Sequence, residues 1–340
     1  MKKIAIAILN WNGKEFINQF LQVVIDNSIG SDVEIVVIDN ASTDGSVRFI
    51  EENYPQVRTI VLNKNYGFAD GYNIGLKQIN AEYFILLNSD IEVTPNWIKP
   101  VISYMDTHPH VAAAMPKIKS YHSRNFFEYA GASGGFIDKF GYPFCRGRVI
   151  SHIEEDKGQY DSIIDIFWAS GACLFVRAST FIEAGKFDGD FFAHMEEIDL
   201  CWRLKRLGYS IVSIPESVVY HVGGGTLPVN TPFKVYLNHR NNLYLLQKNL
   251  PGESLFIVLF FRLIMDGLSA LMYLSKLNLR FFISVIKAHL YFYKNIKSTQ
   301  RKRKAFMKLQ KVSDVGQIYQ HGIVYNYFIR KWRTFDKYKN

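Results

Sequence analysis

The chain has 340 residues, 48% of them apolar and 21% charged, which excludes a disordered polymer and is ample for a buried core. The net charge of +9 is unevenly spread: residues 1–245 hold 22 Lys and Arg against 27 Asp and Glu, net −5, and residues 246–340 hold 18 against 4, net +14. Cys145, Cys173 and Cys201, an odd set without C-x-x-C pairing, exclude a disulfide framework and a cysteine zinc site and fit a reducing cytosol.

Met1-Lys2-Lys3 leads straight into a strand-like run, so export by a signal peptide is not expected. That run, K-I-A-I-A-I-L-N-W at 3–11, predicts a buried strand. Phe16, Ile17, Phe20, Leu21 and Val24 then recur at helical spacing over 14–25. A second strand at 33–38 ends in Asp39-Asn40. Ser42-Thr43-Asp44 supplies capping chemistry for a helix reaching Glu52. Strands at 57–62 and 82–87 enclose a helix at 68–79. Pro95 is placed to start a helix over 97–105, and 111–115 predicts a fifth strand. This alternation predicts an α/β domain with a parallel sheet covered by helices, whose ligands lie beyond the carboxyl ends of the strands. Residues 119–164, punctuated by glycines, predict loops and short antiparallel strands. Residues 165–176, 209–214 and 217–220 read as further strand, and 196–207 as helix.

Polar residues collect at the predicted strand ends: Asn10, Asp39, Asn63 and Asp90. Asp39 can accept hydrogen bonds from a ribose or a base, or cap the next turn. Asp90 in Asn88-Ser89-Asp90 can offer a hard oxygen to Mg²⁺ or Mn²⁺, which bind through few carboxylates plus substrate phosphates. Glu196, Glu197 and Asp199 crowd one helix start. Acids suit that position, but three exceed what capping requires, and like charges raise one another's pKa toward that of a general base. Asp199 has Arg203 four residues on as a structural partner, which leaves Glu196 and Glu197 as base candidates. His221 precedes Val222-Gly223-Gly224-Gly225-Thr226, where exposed amides could close over an anion. The sequence lacks a P-loop, a G-x-G-x-x-G after the first strand and a G-x-S-x-G elbow. These absences disfavour P-loop enzymes, dinucleotide dehydrogenases and α/β-hydrolases.

Seven segments, in order, carry a resemblance: I-L-N-W-N (8–12), V-I-D-N-A-S-T-D-G-S (37–46), N-K-N-Y-G-F-A-D-G-Y-N-I-G (63–75), L-L-N-S-D (86–90), F-W-A-S-G-A-C-L-F-V-R (167–177), F-F-A-H-M-E-E-I-D-L-C-W-R (191–203) and H-V-G-G-G-T (221–226). Together they resemble inverting glycosyltransferases of family 2 with the Rossmann-like GT-A nucleotide-sugar fold, in the rhamnosyltransferase-like branch that builds cell-surface polysaccharides. The resemblance implies that Asn10, Trp11, Asn12 and Asp39 hold base and ribose. Asn65, Gly67, Phe68 and Ala69 would line the nucleoside and diphosphate cleft, and Ser89 belongs to the same donor set. Asp90 and His221 would hold a divalent metal, Mg²⁺ or Mn²⁺. Trp168 to Gly171 would border the sugar. Glu196-Glu197 stands where the family has E-D, with the second acid the usual base, and Asn88 stands where the family's D-x-D has its first Asp. The implied partners are a UDP- or dTDP-sugar donor and a glycan or lipid-linked acceptor.

The basic end, 246–340, is expected to form helices distinct from a 1–245 catalytic domain. Residues 255–274 are apolar but carry Arg262 and Asp266, each costing about 2.5–3.5 kcal/mol at a bilayer centre. Their i,i+4 spacing allows a pair, which favours shallow insertion or helix packing over a span. Residues 294–311 hold eight Lys and Arg and no acid, and Tyr291, Phe292 and Tyr293 precede them. A peripheral protein on the cytoplasmic face of the plasma membrane, bound to anionic lipid, is expected. Competing readings are an inactive scaffold of the same fold, a nucleotidyltransferase, and nucleic-acid binding through the basic tail. The last lacks any recognition motif, so nucleic acid is not an expected partner.

Overall fold

The computed structural model describes residues 2–28, 30, 32–223, 231–313 and 315–338. The first half alternates as its periodicity dictates: β1 (Lys2–Asn10), α1 (Lys14–Ser28), β2 (Val33–Asp39), α2 (Ser46–Asn53), β3 (Arg58–Val61), α3 (Gly67–Leu76), β4 (Ala81–Asn88), β5 (Ile91–Val93), α4 (Lys99–Thr107) and β6 (Val111–Ser120). Then come β7 (Gly135–Asp138), β8 (Pro143–Cys145), β9 (Arg148–Val149), β10 (His152–Ile153), β11 (Ile164–Asp165), β12 (Cys173–Arg177), α5 (Ala178–Glu183), α6 (Glu196–Arg206) and β13 (Ser210–His221). Helices α7 (Pro232–Asn249), α8 (Gly252–Ser275) and α9 (Leu279–Met307) follow, then β14 (Ile318–Tyr319) and α10 (Ile323–Phe328).

The large sheet runs β11-β13-β6-β12-β4-β1-β2-β3, with β5 beside β13. β3, β2, β1 and β4 are parallel, and the centres of β1, β2 and β4 (Ala5–Ala7, Val36–Ile38, Ile85–Leu87) are fully buried, as a sheet covered on both faces requires. The register pairs Asn10 with Asp39 and Leu9 with Asn88, so the polar strand ends arrive side by side.

The sheet is mixed, not wholly parallel. β12 is inserted antiparallel between β4 and β6, and β5 and β11 also run antiparallel to β13. The predicted strand at 165–176 is two pieces, because 166–172 turns at the sheet end before β12 starts down the slot. The two strands predicted at 209–220 are one, with a register shift between Ile214 and Val218. Pro95 lies in the turn closed by Trp97 N to Thr94 O, and α4 begins at Lys99 with Pro100 in its first turn. All three cysteines are buried free thiols.

The small sheet, β10-β9-β8-β7-β14, takes its last strand from the far end of the chain. Phe335 packs between Phe136 and Phe144, so the C-terminal residues return to the body. The boundary expected at 245 falls within α7.

Helix α8 is long and apolar enough to cross a membrane by length and composition. Beyond Glu253 in its first turn, its two charges pair: Arg262 donates to Asp266 at 2.6 Å, and His239 and His289 face the same carboxylate at 3.1 Å. Phe256, Phe260, Leu268 and Leu271 of α8, with Ile283, Ile286 and Leu290 of α9, stand exposed. Of the eight cations in 294–311, three are engaged by the body. Lys302 bonds Asp188 and Asp190, Arg303 donates to the Gln247 carbonyl, and Lys311 pairs with Glu183. Lys294, Lys297, Arg301, Lys304 and Lys308 point outward.

Candidate active site

The strand ends form one cluster. Asn10 Nδ2 donates to Asp39 Oδ1 (2.9 Å) and Ser46 Oγ (2.9 Å), and Asp39 Oδ2 accepts from Ser42 N (2.9 Å). Both oxygens of Asp39 thus bond within the protein, and its observed work is to hold the 10–13 and 42–46 loops together. Asn12, at φ +51°, accepts from Thr43 N at 2.7 Å, and Trp11 is 38% exposed above the strand end. A Cβ at Gly13 would lie 2.6 Å from Asn10 Oδ1 and 3.4 Å from Ser89 Oγ, which brings Ser89 to the same loop and leaves room only for glycine.

Asn40 ties the second half of the cleft. Its Nδ2 donates to Asn65 Oδ1 (3.0 Å) and Gly67 O (2.9 Å), and its Oδ1 accepts from Tyr66 N (2.9 Å). Gly67 has φ +74° and abuts Phe192 so closely that a Cβ would lie 2.6 Å from the Phe192 carbonyl oxygen. That oxygen takes the amides of Phe68 (2.6 Å) and Ala69 (3.2 Å). The start of α3 is therefore capped by the chain itself.

Asp90 and His221 meet at the ends of β4 and β13, Oδ1 to Nε2 at 3.1 Å. Glu128 Oε2 lies 3.3 Å from the other ring nitrogen. All three residues are buried. Burial alone would lower the His221 pKa, but the Glu128 and Asp90 carboxylates outweigh it and raise it to about 10. Among the described residues no three His, Cys, Asp or Glu side chains converge as a metal cage. Two donors with a carboxylate behind the histidine do fit a hard cation that takes its remaining ligands from phosphate and water. Glu128 lies in the glycine-punctuated region, where no periodicity singles it out, and the sequence reading missed it.

Glu196 and Glu197 open α6. Glu196 is buried and Glu197 half-buried, and each has one carboxylate oxygen without a hydrogen-bond partner. Burial pushes Glu197 up to about 7, against the pull of the Glu197, Ile198 and Met195 amides. Burial and then the neighbouring Glu197 raise Glu196 well above the usual carboxylate range. The pair therefore holds at most one negative charge near neutrality. A Cβ at Gly171 would touch Phe68 Cζ (3.3 Å) and Glu197 Cβ (3.8 Å), so these three meet, and Asn88 N bonds Ala172 O at 3.0 Å beside them. Trp168 lies beneath, buried, with its Nε1 committed to Phe136 O at 2.9 Å. Asp199 is structural, bonded to Arg203, Lys248 and Asn249. Of the H-V-G-G-G-T segment, Gly224, Gly225 and Thr226 lie outside the described residues.

A family model described as glycosyl transferase family 2 matches residues 5–166. The N-acetylglucosaminyl-diphospho-decaprenol L-rhamnosyltransferase of Mycobacterium tuberculosis is 27% identical over 205 residues. That match covers 56% of this chain and 66% of the relative's own length, just under two thirds. Among solved structures, S. aureus TarS 1–349 in complex with UDP is 15% identical, covers 92% of this chain and 94% of that one, and gives a TM-score of 0.52. The mannosyltransferase PcManGT of Pyrobaculum calidifontis, solved with GDP-Man and Mn²⁺, is 13% identical, covers 91% and 86%, and gives 0.51. At such identities the structural likeness establishes a shared fold.

Proposed function

As a member of glycosyl transferase family 2, this chain is, we propose, an inverting transferase that moves a sugar from a UDP- or dTDP-sugar to a hydroxyl of a glycan or lipid-linked saccharide in cell-surface polysaccharide synthesis. One observation carries the reading. A carboxylate poised near neutrality and a buried Asp90–His221–Glu128 set are grouped around the carboxyl end of β4.

Glu197 is half-buried, so it can reach an acceptor while titrating near the working pH. It takes the proton of the acceptor hydroxyl, whose oxygen attacks the anomeric carbon as the bond to the diphosphate breaks. Glu196 keeps its proton, so the base works without a second negative charge beside it. Trp11 and Asn12 line the base side of the cleft, with Asn65, Gly67 and Phe68 on the opposite wall. Asp90 would hold a divalent ion together with His221 Nε2, which must give up its proton as the ion binds, and Glu128 would orient the imidazole; such an ion would supply positive charge to the departing diphosphate. A single displacement inverts the anomeric centre. Proton NMR of the disaccharide product tests this: the new linkage should have the anomeric configuration opposite to the donor's, and retention would overturn the mechanism.

The exposed apolar face of α8 and α9, flanked by five outward cations, supports peripheral attachment to an anionic bilayer. Each cation contributes about 1 kcal/mol near such a surface, so the five still suffice for reversible binding. The intact protein should float with phosphatidylglycerol vesicles at low salt and be partly released at high salt. Recovery wholly in the soluble fraction at low salt would refute the attachment.

A further inference from the structure

The residues leading into the acid pair are held in an unusual backbone. Phe192, His194 and Met195 have φ of +64°, +70° and +73°, positive values that bulky side chains rarely adopt. Two adjacent buried side chains of α7 hold this segment. Asn241 Nδ2 donates to the carbonyls of Phe191 (2.9 Å), Ala193 (2.8 Å) and His194 (2.7 Å). Arg240 Nη2 donates to those of Asp190 (2.9 Å) and Phe191 (2.8 Å), and its Nε donates to Asn241 Oδ1 (2.9 Å). The guanidinium itself lies among the rings of Tyr236, Tyr244 and Tyr291. The carbonyl they leave free, that of Phe192, is the one that caps α3 at Phe68 and Ala69. The strained segment thus joins the donor-side wall to the start of α6.

We propose that Arg240 and Asn241 are positioning residues. By fixing four consecutive or near-consecutive carbonyls they keep residues 190–195 in this path with its three positive φ angles, and that path sets Glu197 against Phe68 and Gly171. The proposal rests on the reading of Glu197 as the base. Neither residue touches the reacting atoms; each acts through the loop. Without them the segment can relax to ordinary φ values, and the Glu197 carboxylate moves away from its target.

The test compares Asn241→Ala with Asn242→Ala in the full-length protein. Asn242 is the next residue of α7, equally buried, and its Nδ2 bonds the Gly141 carbonyl, away from the loop. Turnover is measured with whichever UDP- or dTDP-sugar the wild type uses, and hydrogen exchange of the 188–200 peptide is followed by mass spectrometry. A misplacement of the base predicts a kcat lower by about 100-fold in Asn241→Ala. Donor KM should stay within about threefold, since Asn241 does not bond the Phe192 carbonyl that caps the donor wall. Exchange in 188–200 should rise, and Asn242→Ala should show neither change beyond its loss of thermal stability. If Asn241→Ala does not fold, Arg240→Lys takes its place, with a loss of about tenfold in kcat because a single ammonium cannot replace the fork of donors. Equal kcat losses in the Asn241 and Asn242 variants would overturn the proposal, as would unchanged exchange. If the wild type turns over no sugar nucleotide, the functional reading fails, and exchange alone decides the clamp. Faster exchange confined to Asn241→Ala supports it; equal exchange in both removes it.

Discussion

Replacing Glu197 by Gln should lower kcat by about 10²–10⁴-fold, the range expected when a positioned general base is lost. The donor should still bind, because its proposed contacts lie on other residues. Glu196→Gln should cost far less, since that acid is buried and already protonated in its working state. In the wild type kcat/KM should rise with pH and level off above about 7, where Glu197 is ionised. Stability should move the other way. The folded-state pKa is raised above the ordinary 4.5, so between the two values the unfolded chain releases a proton that the folded chain keeps. Stability is therefore lost as pH rises through that window. Thermal melts of wild type and Glu197→Gln should converge below pH 4.5 and separate above pH 7, with the variant the more stable. A variant that is both inactive and less stable at pH 8 would contradict a buried, raised base.

Asp199→Ala should produce the largest loss of stability, about 3–5 kcal/mol at neutral pH, because it leaves buried cations uncompensated. Asp199 is fully buried and accepts from Arg203 Nε and Lys248 Nζ, each at 2.9 Å, and from Asn249 at 2.8 Å. Lys248 continues to Asp188 at 2.6 Å, and Asp188 to Lys302 of the basic helix. This network fastens α6, α7 and α9 together. Burial by itself would raise Asp199, but Arg203 and Lys248 hold it below its usual 3.8. Its contribution is thus present above that value and is lost as pH falls through the lower folded-state pKa. Chemical denaturation should show a wide gap between wild type and variant at pH 7, and the gap should begin to narrow as pH falls below 3.8.

Local pattern carried much of this molecule. Parallel strands buried on both faces show themselves as apolar runs, so β1, β2 and β4 and their polar ends at Asn10, Asp39 and Asp90 were legible. So were the i,i+4 pairs Asp199–Arg203 and Arg262–Asp266, since helical spacing alone brings them together. Long-range pairing was not legible. Nothing in C-L-F-V-R says that it runs antiparallel between β4 and β6, because both neighbours are distant in sequence. Glu128 lies in a region without period and meets His221 through folding alone. Arg240 and Asn241 look like ordinary helix polar residues until the carbonyls they serve, some fifty positions earlier, are brought beneath them. The basic run at 294–311 looked uniformly lipid-facing, and only docking onto Asp188, Asp190 and Glu183 separates its engaged cations from its free ones.

On this reading the ends of β1, β2, β4 and β13 hold a nucleotide-sugar with its metal. Thermal shift against UDP-, dTDP- and GDP-sugars, with and without Mn²⁺ or Mg²⁺, tests it on wild type and Asp90→Ala side by side. A donor at 100 times its Kd should stabilise the fold by about 2.7 kcal/mol. Metal-dependent stabilisation by one UDP- or dTDP-sugar is expected, and its loss in Asp90→Ala. A well-folded wild type unmoved by every nucleotide, or an Asp90→Ala variant stabilised as fully as the wild type, would contradict it.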